Sequence, residues 1–151
     1  MTKVLIVEAR FYPDIADELL AGAQAALRAA GVACDRISVP GAFEIPAVIA
    51  MAVKAAAKRD NQGAYTGFLA LGCVIRGETS HYDYVCAESA RKLQDLACEH
   101  GIAVGYGILT CENIKQARTR ADRNGRNKGG EVAAACLRMI EIRSGFGVAE
   151  Q

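Results

Sequence analysis

Short apolar runs alternate along the chain with longer stretches in which apolar residues recur every three or four positions. The short runs predict strands at residues 4–7, 34–39, 67–74 and 102–109, the second weaker than the others. The longer stretches predict helices at residues 13–30, 44–59, 80–100, 113–121 and 128–143. Because strands and helices alternate, the pattern favours parallel strands joined by right-handed crossovers, with helices on both faces of the sheet.

Single residues mark two of the helix starts. The helix at 13–30 begins with Pro13 in its first turn and ends before Gly31. The segment 80–83, Ser-His-Tyr-Asp, resembles a capping box at the start of the helix at 80–100. We therefore predict an α/β fold: a three-layer, flavodoxin-like domain with a four-stranded parallel sheet flanked by helices.

Length and composition narrow the class of protein. The chain has 151 residues, of which 52% are hydrophobic and 23% charged, so we expect one folded domain over residues 1–151. The net charge is +1, which indicates no broad surface for nucleic acid. The mean hydropathy is +0.11, and no run approaches the ~18 apolar residues of a membrane span. The apolar run at the start is too short for a signal peptide, so we expect a cytoplasmic protein with no nucleic-acid or membrane partner.

The six cysteines do not predict a metal site. No two of them form a C-x-x-C pair, the spacing with which many zinc sites begin. Most lie within apolar, periodic stretches, where reduced cysteine packs as a small hydrophobic residue. We therefore interpret them as structural thiols.

Ligands of open parallel sheets bind beyond the carboxyl ends of the strands. That rule selects the loops at residues 10–12, 40–44, 75–81 and 110–113, where polar and aromatic residues concentrate. In the third loop, Gly77 allows close approach of the backbone, and the N–H groups of residues 78–80 open a helix, an arrangement that binds phosphate. His81 follows and could act as general base and then general acid. Plain helix capping by Thr79 and Ser80, with His81 a surface residue, explains this loop equally well.

Other candidate residues have two readings each. Phe11 could stack on a planar ring or act as a hydrophobic staple for the following helix. Glu44 could bind a ligand or only complement a helix dipole. A basic cluster, which comprises Arg120, Arg123, Arg126 and Lys128, is most often a solvated face. It could reach a phosphate only through folding or from a neighbouring subunit.

Taken together, these loops resemble one family. The residues that carry the resemblance are 9–11 (ARF), 39–46 (VPGAFEIP), 71–82 (LGCVIRGETSHY), 107–113 (GILTCEN) and 127–130 (NKGG). They are similar to the 6,7-dimethyl-8-ribityllumazine synthases, and the match is collinear from residue 3 to about residue 143. The resemblance implies a transferase of riboflavin biosynthesis. It condenses 5-amino-6-(D-ribitylamino)uracil with 3,4-dihydroxy-2-butanone 4-phosphate to the lumazine, phosphate and water, without cofactor or metal.

The resemblance also implies a role for each matching residue. Phe11 would stack on the pyrimidine, Ala42 and Glu44 would bind the ribityl chain, and the backbone of residues 73–75 would hold the uracil. The residues that would hold this substrate from within the subunit are Phe11, Ala42, Glu44, Cys73, Val74 and Ile75. Glu78 and Thr79 would grip the phosphate, with charge supplied by Arg120, and His81 would shuttle protons. Glu78 would lower the affinity for phosphate unless it turns toward Arg76.

A shared site follows from the same resemblance. Tyr106, Arg120 and Lys128 would come from an adjacent subunit, and the family's ring is fivefold. The chain begins at its first strand, and the turn at 122–126 lacks the G-x-K-A-G pattern of shell-forming members. Both features favour a free homopentamer, or a decamer of two rings, over a sixty-subunit shell.

Three other functions remain open alternatives. A non-catalytic flavin- or lumazine-binding paralogue would need no proton shuttle, and a riboflavin synthase of the same fold would use two lumazines. A response-regulator domain needs acidic residues after the first strand and an aspartate after the third. This chain has Ala9-Arg10 and Cys73 at those places.

Overall fold

The computed structural model describes residues 2–148. Its strands are β1 (Lys3–Ala9), β2 (Ala33–Val39), β3 (Gly67–Ile75) and β4 (Ala103–Cys111). Its helices are α1 (Pro13–Ala29), α2 (Ile45–Ala57), α3 (His81–His100), α4 (Ile114–Ala121) and α5 (Lys128–Gly145). A 3₁₀ turn, Ala42–Glu44, precedes α2. The predicted elements are confirmed in type and in order.

The sheet is parallel throughout, with the strand order β2-β1-β3-β4. This is the winding of flavodoxin-like folds up to the fourth strand, so the predicted fold class is confirmed. The order reverses between β1 and β3, and a crevice opens at such a point beyond the strand ends. β2 lies at one edge and is largely exposed, which explains its weak apolar pattern.

Two hydrophobic cores separate the layers. On one face of the sheet, Ile6 and Leu69 pack with Leu19 of α1 and Ala133 of α5. On the other face, the residues next along the same strands, such as Val7 and Phe68, pack with helices α2 and α3. Strands buried on both faces explain the continuous apolar runs of the sequence.

The strands are longer than predicted, for two reasons. β1 continues beyond residue 7 because Glu8 is buried and paired with Arg10, whereas a charged residue looks like a strand end in the sequence. β4 continues to Cys111 because β3 offers it a partner as far as Ile75. Thr110 and Cys111, predicted as loop residues, are therefore strand residues.

Helices α1 and α5 cross at very short range on one face of the sheet. A Cβ placed on Gly129 would lie 2.1 Å from the carbonyl oxygen of Leu19. The side chain of Asn127 accepts a hydrogen bond from the N–H of Gly130 and so caps α5 at this crossing. The start of α5, which carries Lys128, is thereby held against α1.

No helix among residues 2–148 is long and apolar enough to cross a membrane.

Candidate functional site

The carboxyl ends of β1, β2 and β3 surround an open cavity of about 420 Å³. Segments that are far apart in the sequence meet there because parallel strands end at the same edge of the sheet. The predicted site residues that line it are Phe11, Ala42, Glu44, Cys73, Val74, Ile75 and His81. The structure therefore brings together the loops after the first three strands, as the sheet rule predicts.

Phe11 extends into solvent at the rim of this cavity. Its side chain is 71% exposed, and its ring meets that of Tyr12 edge to face at 5.0 Å. A hydrophobic staple would be packed against the following helix, so this exposure contradicts the staple interpretation. An aromatic face open to the cavity can stack on a planar ligand.

Glu44 ends the 3₁₀ turn and occupies the N-cap position of α2, but its side chain makes no capping hydrogen bond. Its carboxylate folds back toward Gly41, where Oε2 lies 3.2 Å from the position that a Cβ would take. The carboxylate therefore does not cap the helix, and Glu44 is among the residues that line the cavity. It can accept hydrogen bonds from the hydroxyl groups of a ligand.

The end of β3 presents backbone to the cavity. β1 pairs with β3 only as far as Leu71, whereas β4 continues to pair as far as Ile75. The backbone groups of residues 73–75 that point toward β1 therefore have no strand partner. Such unpaired backbone groups can form hydrogen bonds with the N–H and C=O groups of a planar ring.

The thiol of Cys73 is not a nucleophile at ordinary pH. Burial, with a smaller contribution from the neighbouring Cys111, raises the pKa of Cys73 to about 12. Reactive cysteines have lowered pKa values, because the thiolate is the attacking species. Cys73 therefore contributes shape and backbone to the cavity.

The predicted capping box at 80–83 is wrong. Ser80 has helical backbone angles, and its side chain makes no capping hydrogen bond. The hydroxyl of Thr79 instead accepts a hydrogen bond from the N–H of His81, at 3.3 Å, and the carboxylate of Asp83 pairs with Arg76. Thr79 and Glu78 remain exposed at the start of the long helix α3, where the helix dipole favours an anion.

Arg76 does not take Glu78 as its partner. Its guanidinium pairs with Asp83 at 3.1 Å and with Glu112 at 2.8 Å, and it lies 4.3 Å from the centre of the Tyr82 ring. The hydrogen bond with Glu112 is the largest of the effects that raise the pKa of Arg76. The residue thus ties both ends of the loop at 77–82 to the end of β4.

The fourth predicted loop does not line the cavity. Glu112 pairs with Arg76, and the side chain of Asn113 caps α4 by accepting a hydrogen bond from the N–H of Gln116 at 2.9 Å. These contacts give the loop a structural role. The sheet rule therefore selected one loop too many.

Five predicted site residues do not line the cavity: Glu78 and Thr79, just before α3, and three others on separate elements. Tyr106 is on the edge strand β4, where its side chain is 39% exposed. Arg120, near the end of α4, donates a hydrogen bond to the carbonyl oxygen of Gln116. Lys128 opens α5 and pairs with Glu131 at 2.8 Å. A single chain thus brings none of the three to its own cavity.

One functional candidate is missing from the sequence prediction. Phe43 lines the cavity beside Ala42 and Glu44 and is 58% exposed. Its position between two predicted site residues, in an irregular segment, is the signal that could have identified it. Phe11 and Phe43 give the cavity two exposed aromatic rings.

Other features of the described chain point to no competing centre. A recess of about 510 Å³ lies at the opposite edge of the sheet, where Tyr65 and His100 line it, and it holds none of the predicted residues. Among residues 2–148, no group of histidine, cysteine and acidic side chains has the arrangement of a metal site.

Comparison with known proteins identifies close relatives over almost the whole chain. A family model described as 6,7-dimethyl-8-ribityllumazine synthase matches residues 1–144. The chain is 57% identical to 6,7-dimethyl-8-ribityllumazine synthase 1 of Rhizobium meliloti (strain 1021), over 95% of this chain and 93% of that one. It is 55% identical to the synthase of Agrobacterium fabrum (strain C58), over 95% and 96% of the two chains. It is 47% identical to that of Paramagnetospirillum magneticum (strain AMB-1), over 98% and 99%.

Proposed function

The chain belongs to the 6,7-dimethyl-8-ribityllumazine synthase family, and from this we propose that the cavity beyond β1, β2 and β3 binds the pyrimidine substrate. The enzyme is a transferase of riboflavin biosynthesis. It condenses 5-amino-6-(D-ribitylamino)uracil with 3,4-dihydroxy-2-butanone 4-phosphate to 6,7-dimethyl-8-ribityllumazine, phosphate and water. The site assignment rests on one observation: seven predicted residues from four segments line a single cavity.

The pyrimidine ring binds between an aromatic face and a backbone edge. Phe11 supplies the face, and the unpaired β1 side of residues 73–75 supplies hydrogen bonds to the uracil. Ala42 and Glu44 bind the ribityl chain, because both residues line the cavity and the Glu44 carboxylate, which caps no helix, can accept hydrogen bonds from hydroxyl groups. A planar, uncharged ring with a polyhydroxyl tail fits this combination.

The phosphate of the second substrate binds at the start of α3. Glu78 and Thr79 lie there, at the positive end of a 20-residue helix. Arg120 of a neighbouring subunit supplies the charge that the loop itself lacks. The choice of Arg120 is supported by the state of Arg76, the nearest arginine in the sequence, because its guanidinium already pairs with Asp83 and Glu112.

His81 transfers protons between the two halves of the site. It lines the cavity and is also the first residue of α3, two positions after Thr79. From there it can accept and return protons while the Schiff base forms and while phosphate is eliminated. The proposal needs no metal and no cofactor.

The active form is a homopentamer with shared sites, and a decamer of two face-to-face rings is the larger alternative. Tyr106, Arg120 and Lys128 lie outside the cavity of their own chain, and a head-to-tail ring would bring them to the next one. The exposed side chains of Met51 and Tyr84 on α2 and α3 support burial of these helices in such a ring. Light scattering should give about five times 16.0 kDa, and an active monomer would refute the shared site.

Each subunit is a single domain over residues 1–151 that works in the cytoplasm on small-molecule substrates. The family match over residues 1–144 supports the single domain. The proposed cytoplasmic location is supported by the small-molecule substrates of this metabolic reaction.

The other functions considered for this sequence have less support. The curated relatives carry the name of the synthase, which favours it over a riboflavin synthase or a non-catalytic binding protein. His81 in the cavity adds a group that a pure binding protein would not need. The acidic residues of a response regulator are absent at the corresponding strand ends, where Ala9-Arg10 and Cys73 stand.

Steady-state kinetics with one variant in each half of the site test the assignment. Product formation is followed by lumazine absorbance while each substrate is varied in turn. We expect Glu44→Gln to raise the KM for the pyrimidine by about tenfold, the scale of a hydrogen bond to a charged group. Thr79→Ala should raise the KM for the butanone phosphate instead. If both variants shift both KM values equally, the division of the site is wrong.

A further inference from the structure

Glu8 is an unusual residue for the interior of a parallel sheet. It lies in β1 between Val7 and Ala9, and only 1% of it is exposed. A buried carboxylate needs compensation by a partner. One oxygen, Oε1, accepts a hydrogen bond from Nη1 of Arg10 at 2.7 Å. The other, Oε2, is buried without a hydrogen-bond partner among the described residues. Arg10 is therefore the group that compensates this charge.

Arg10 connects the strand to the following helix. While Nη1 binds Glu8, Nη2 pairs with the carboxylate of Asp17 on α1. The partner at one end of this chain of contacts, Glu8, is buried, and the partner at the other end, Asp17, is exposed. Residues 10–12 are the whole connection between β1 and α1, so both ends of the connection are fastened through one side chain.

This arrangement does not form an anion site. Two carboxylates surround one guanidinium, so the cluster carries a net charge of −1 and repels a phosphate rather than attracting it. Both terminal nitrogens of the guanidinium, Nη1 and Nη2, already pair with carboxylates. The cluster therefore has no direct part in binding the phosphorylated substrate.

Phe11, the residue next to Arg10, has little support of its own. Its ring is 71% exposed and touches Tyr12 only edge to face. The direction of such a ring depends on the backbone that carries it. We propose that Arg10, held by Glu8 and Asp17, is a positioning residue that fixes the Phe11 ring in the orientation on which the pyrimidine stacks. The inference rests on the role proposed for Phe11 in the function above.

The physical benefit is preorganisation. A loop held in its bound conformation before the substrate arrives loses less conformational entropy on binding. Fixing Arg10 at both ends restricts the loop of residues 10–12 at the position next to the ring. Without the two ion pairs of Arg10, the substrate has to order the loop as it binds, and the apparent affinity for the substrate falls.

A double variant tests the proposal without leaving a buried charge alone. Removing Arg10 by itself would strand the Glu8 carboxylate and could unfold the chain, whereas replacing both partners by apolar residues is often tolerated. We expect Glu8→Leu/Arg10→Met to raise the KM for the pyrimidine by about fivefold. This is part of the roughly 5- to 150-fold that complete loss of ring stacking would cause. The KM for the butanone phosphate should stay within about twofold, since the phosphate loop is separate.

Two further variants separate positioning from general damage. Asp17→Asn removes only the charge of the outer, exposed partner of Arg10 and should give a smaller shift of the same KM. Arg138→Met removes an exposed pair with Glu141 on α5 and should change neither KM. A rise of both KM values in the double variant, in step with a lower melting temperature, would overturn the proposal in favour of a purely structural role.

A double-mutant cycle with Phe11→Ala decides whether Arg10 acts through the ring. Phe11→Ala alone should raise the KM for the pyrimidine by about tenfold or more. In that background the Glu8→Leu/Arg10→Met change should add nothing, because there is no ring left to position. A fully additive effect would overturn positioning and leave the role of Phe11 intact. If Phe11→Ala leaves the KM unchanged, both the positioning and the stacking are refuted.

Discussion

The crossing of α1 and α5 gives the sharpest test of the structure. A Cβ on Gly129 would lie 2.1 Å from the carbonyl oxygen of Leu19, and 2.9 and 3.0 Å from its carbonyl carbon and Cα. All three are backbone atoms, so no side chain can rotate away. The helices would have to separate by about 1 Å or more to restore an ordinary contact of roughly 3.4 Å.

The expected cost of Gly129→Ala follows from that geometry. Overpacking of a core costs about 1–3 kcal/mol when side chains can adjust, so a clash with backbone belongs at the upper end or beyond. We expect a loss of about 3 kcal/mol in the free energy of unfolding. For a chain of this length that corresponds to a melting temperature lower by roughly 6–12 °C. Both are measured at one protein concentration, because assembly shifts apparent stability.

Gly145 provides the matched control in the same helix. A Cβ there would meet nothing within 4 Å, and its φ lies outside the left-handed region. Gly145→Ala should therefore leave stability unchanged or raise it by up to about 1 kcal/mol, the difference in helix propensity. If Gly129→Ala lies within 0.5 kcal/mol of the parent by urea unfolding, an amount roughly equal to an ordinary surface substitution, the packing argument is refuted.

Three other predictions concern single side chains. His81→Ala should lower kcat by about tenfold or somewhat more, which is below the roughly 10²–10⁴-fold that proton transfer typically contributes, and an unchanged kcat would remove His81 from the mechanism. Arg120→Ala should weaken apparent affinity for the butanone phosphate by about 1.5–3 kcal/mol, and equal weakening of both substrates would indicate misassembly instead. Burial raises the pKa of the Cys73 thiol from its ordinary value of 9.0 to about 12 in the folded chain, so the contribution of this buried thiol to stability is present below about pH 9 and is lost as pH rises toward 12. Urea unfolding at two pH values in that window should show a smaller loss of unfolding free energy with rising pH for Cys73→Thr than for the parent. An equal loss in both proteins would contradict the burial of this thiol.

The order and type of the elements were predictable because each follows from local periodicity. Strands buried on both faces give unbroken apolar runs, and helices packed on one face give a repeat of three to four. The errors occur where a residue's role depends on a contact that the hydrophobic periodicity does not reveal. Glu8 appears to end β1 until Arg10 compensates its charge, and Thr110 appears to lie in a loop until β3 pairs with it.

The same distinction applies to the site. Residues that come to the cavity from strand ends could be predicted, because the parallel sheet brings those ends together. The capping box failed because the Asp83 carboxylate pairs with Arg76, which also pairs with Glu112 from another part of the chain. Phe43 was missed although it stands between two predicted site residues, because the direction of its ring is set by the 3₁₀ turn and not by any periodic pattern.

The two arginine clusters suggest how the site obtains most of its catalytic effect. One proton-transferring group typically contributes about 10²–10⁴-fold, whereas correct placement of two reactants can contribute about 7–11 kcal/mol, which is more. Arg10 fastens the loop that carries Phe11, and Arg76 fastens the loop that carries Thr79 and His81. In the proposed function, each substrate binds at a loop whose ends are tied by a guanidinium and two carboxylates. A site of this kind works by holding two reactants in place, so substitutions in either cluster should change KM values more than the proton-transfer step.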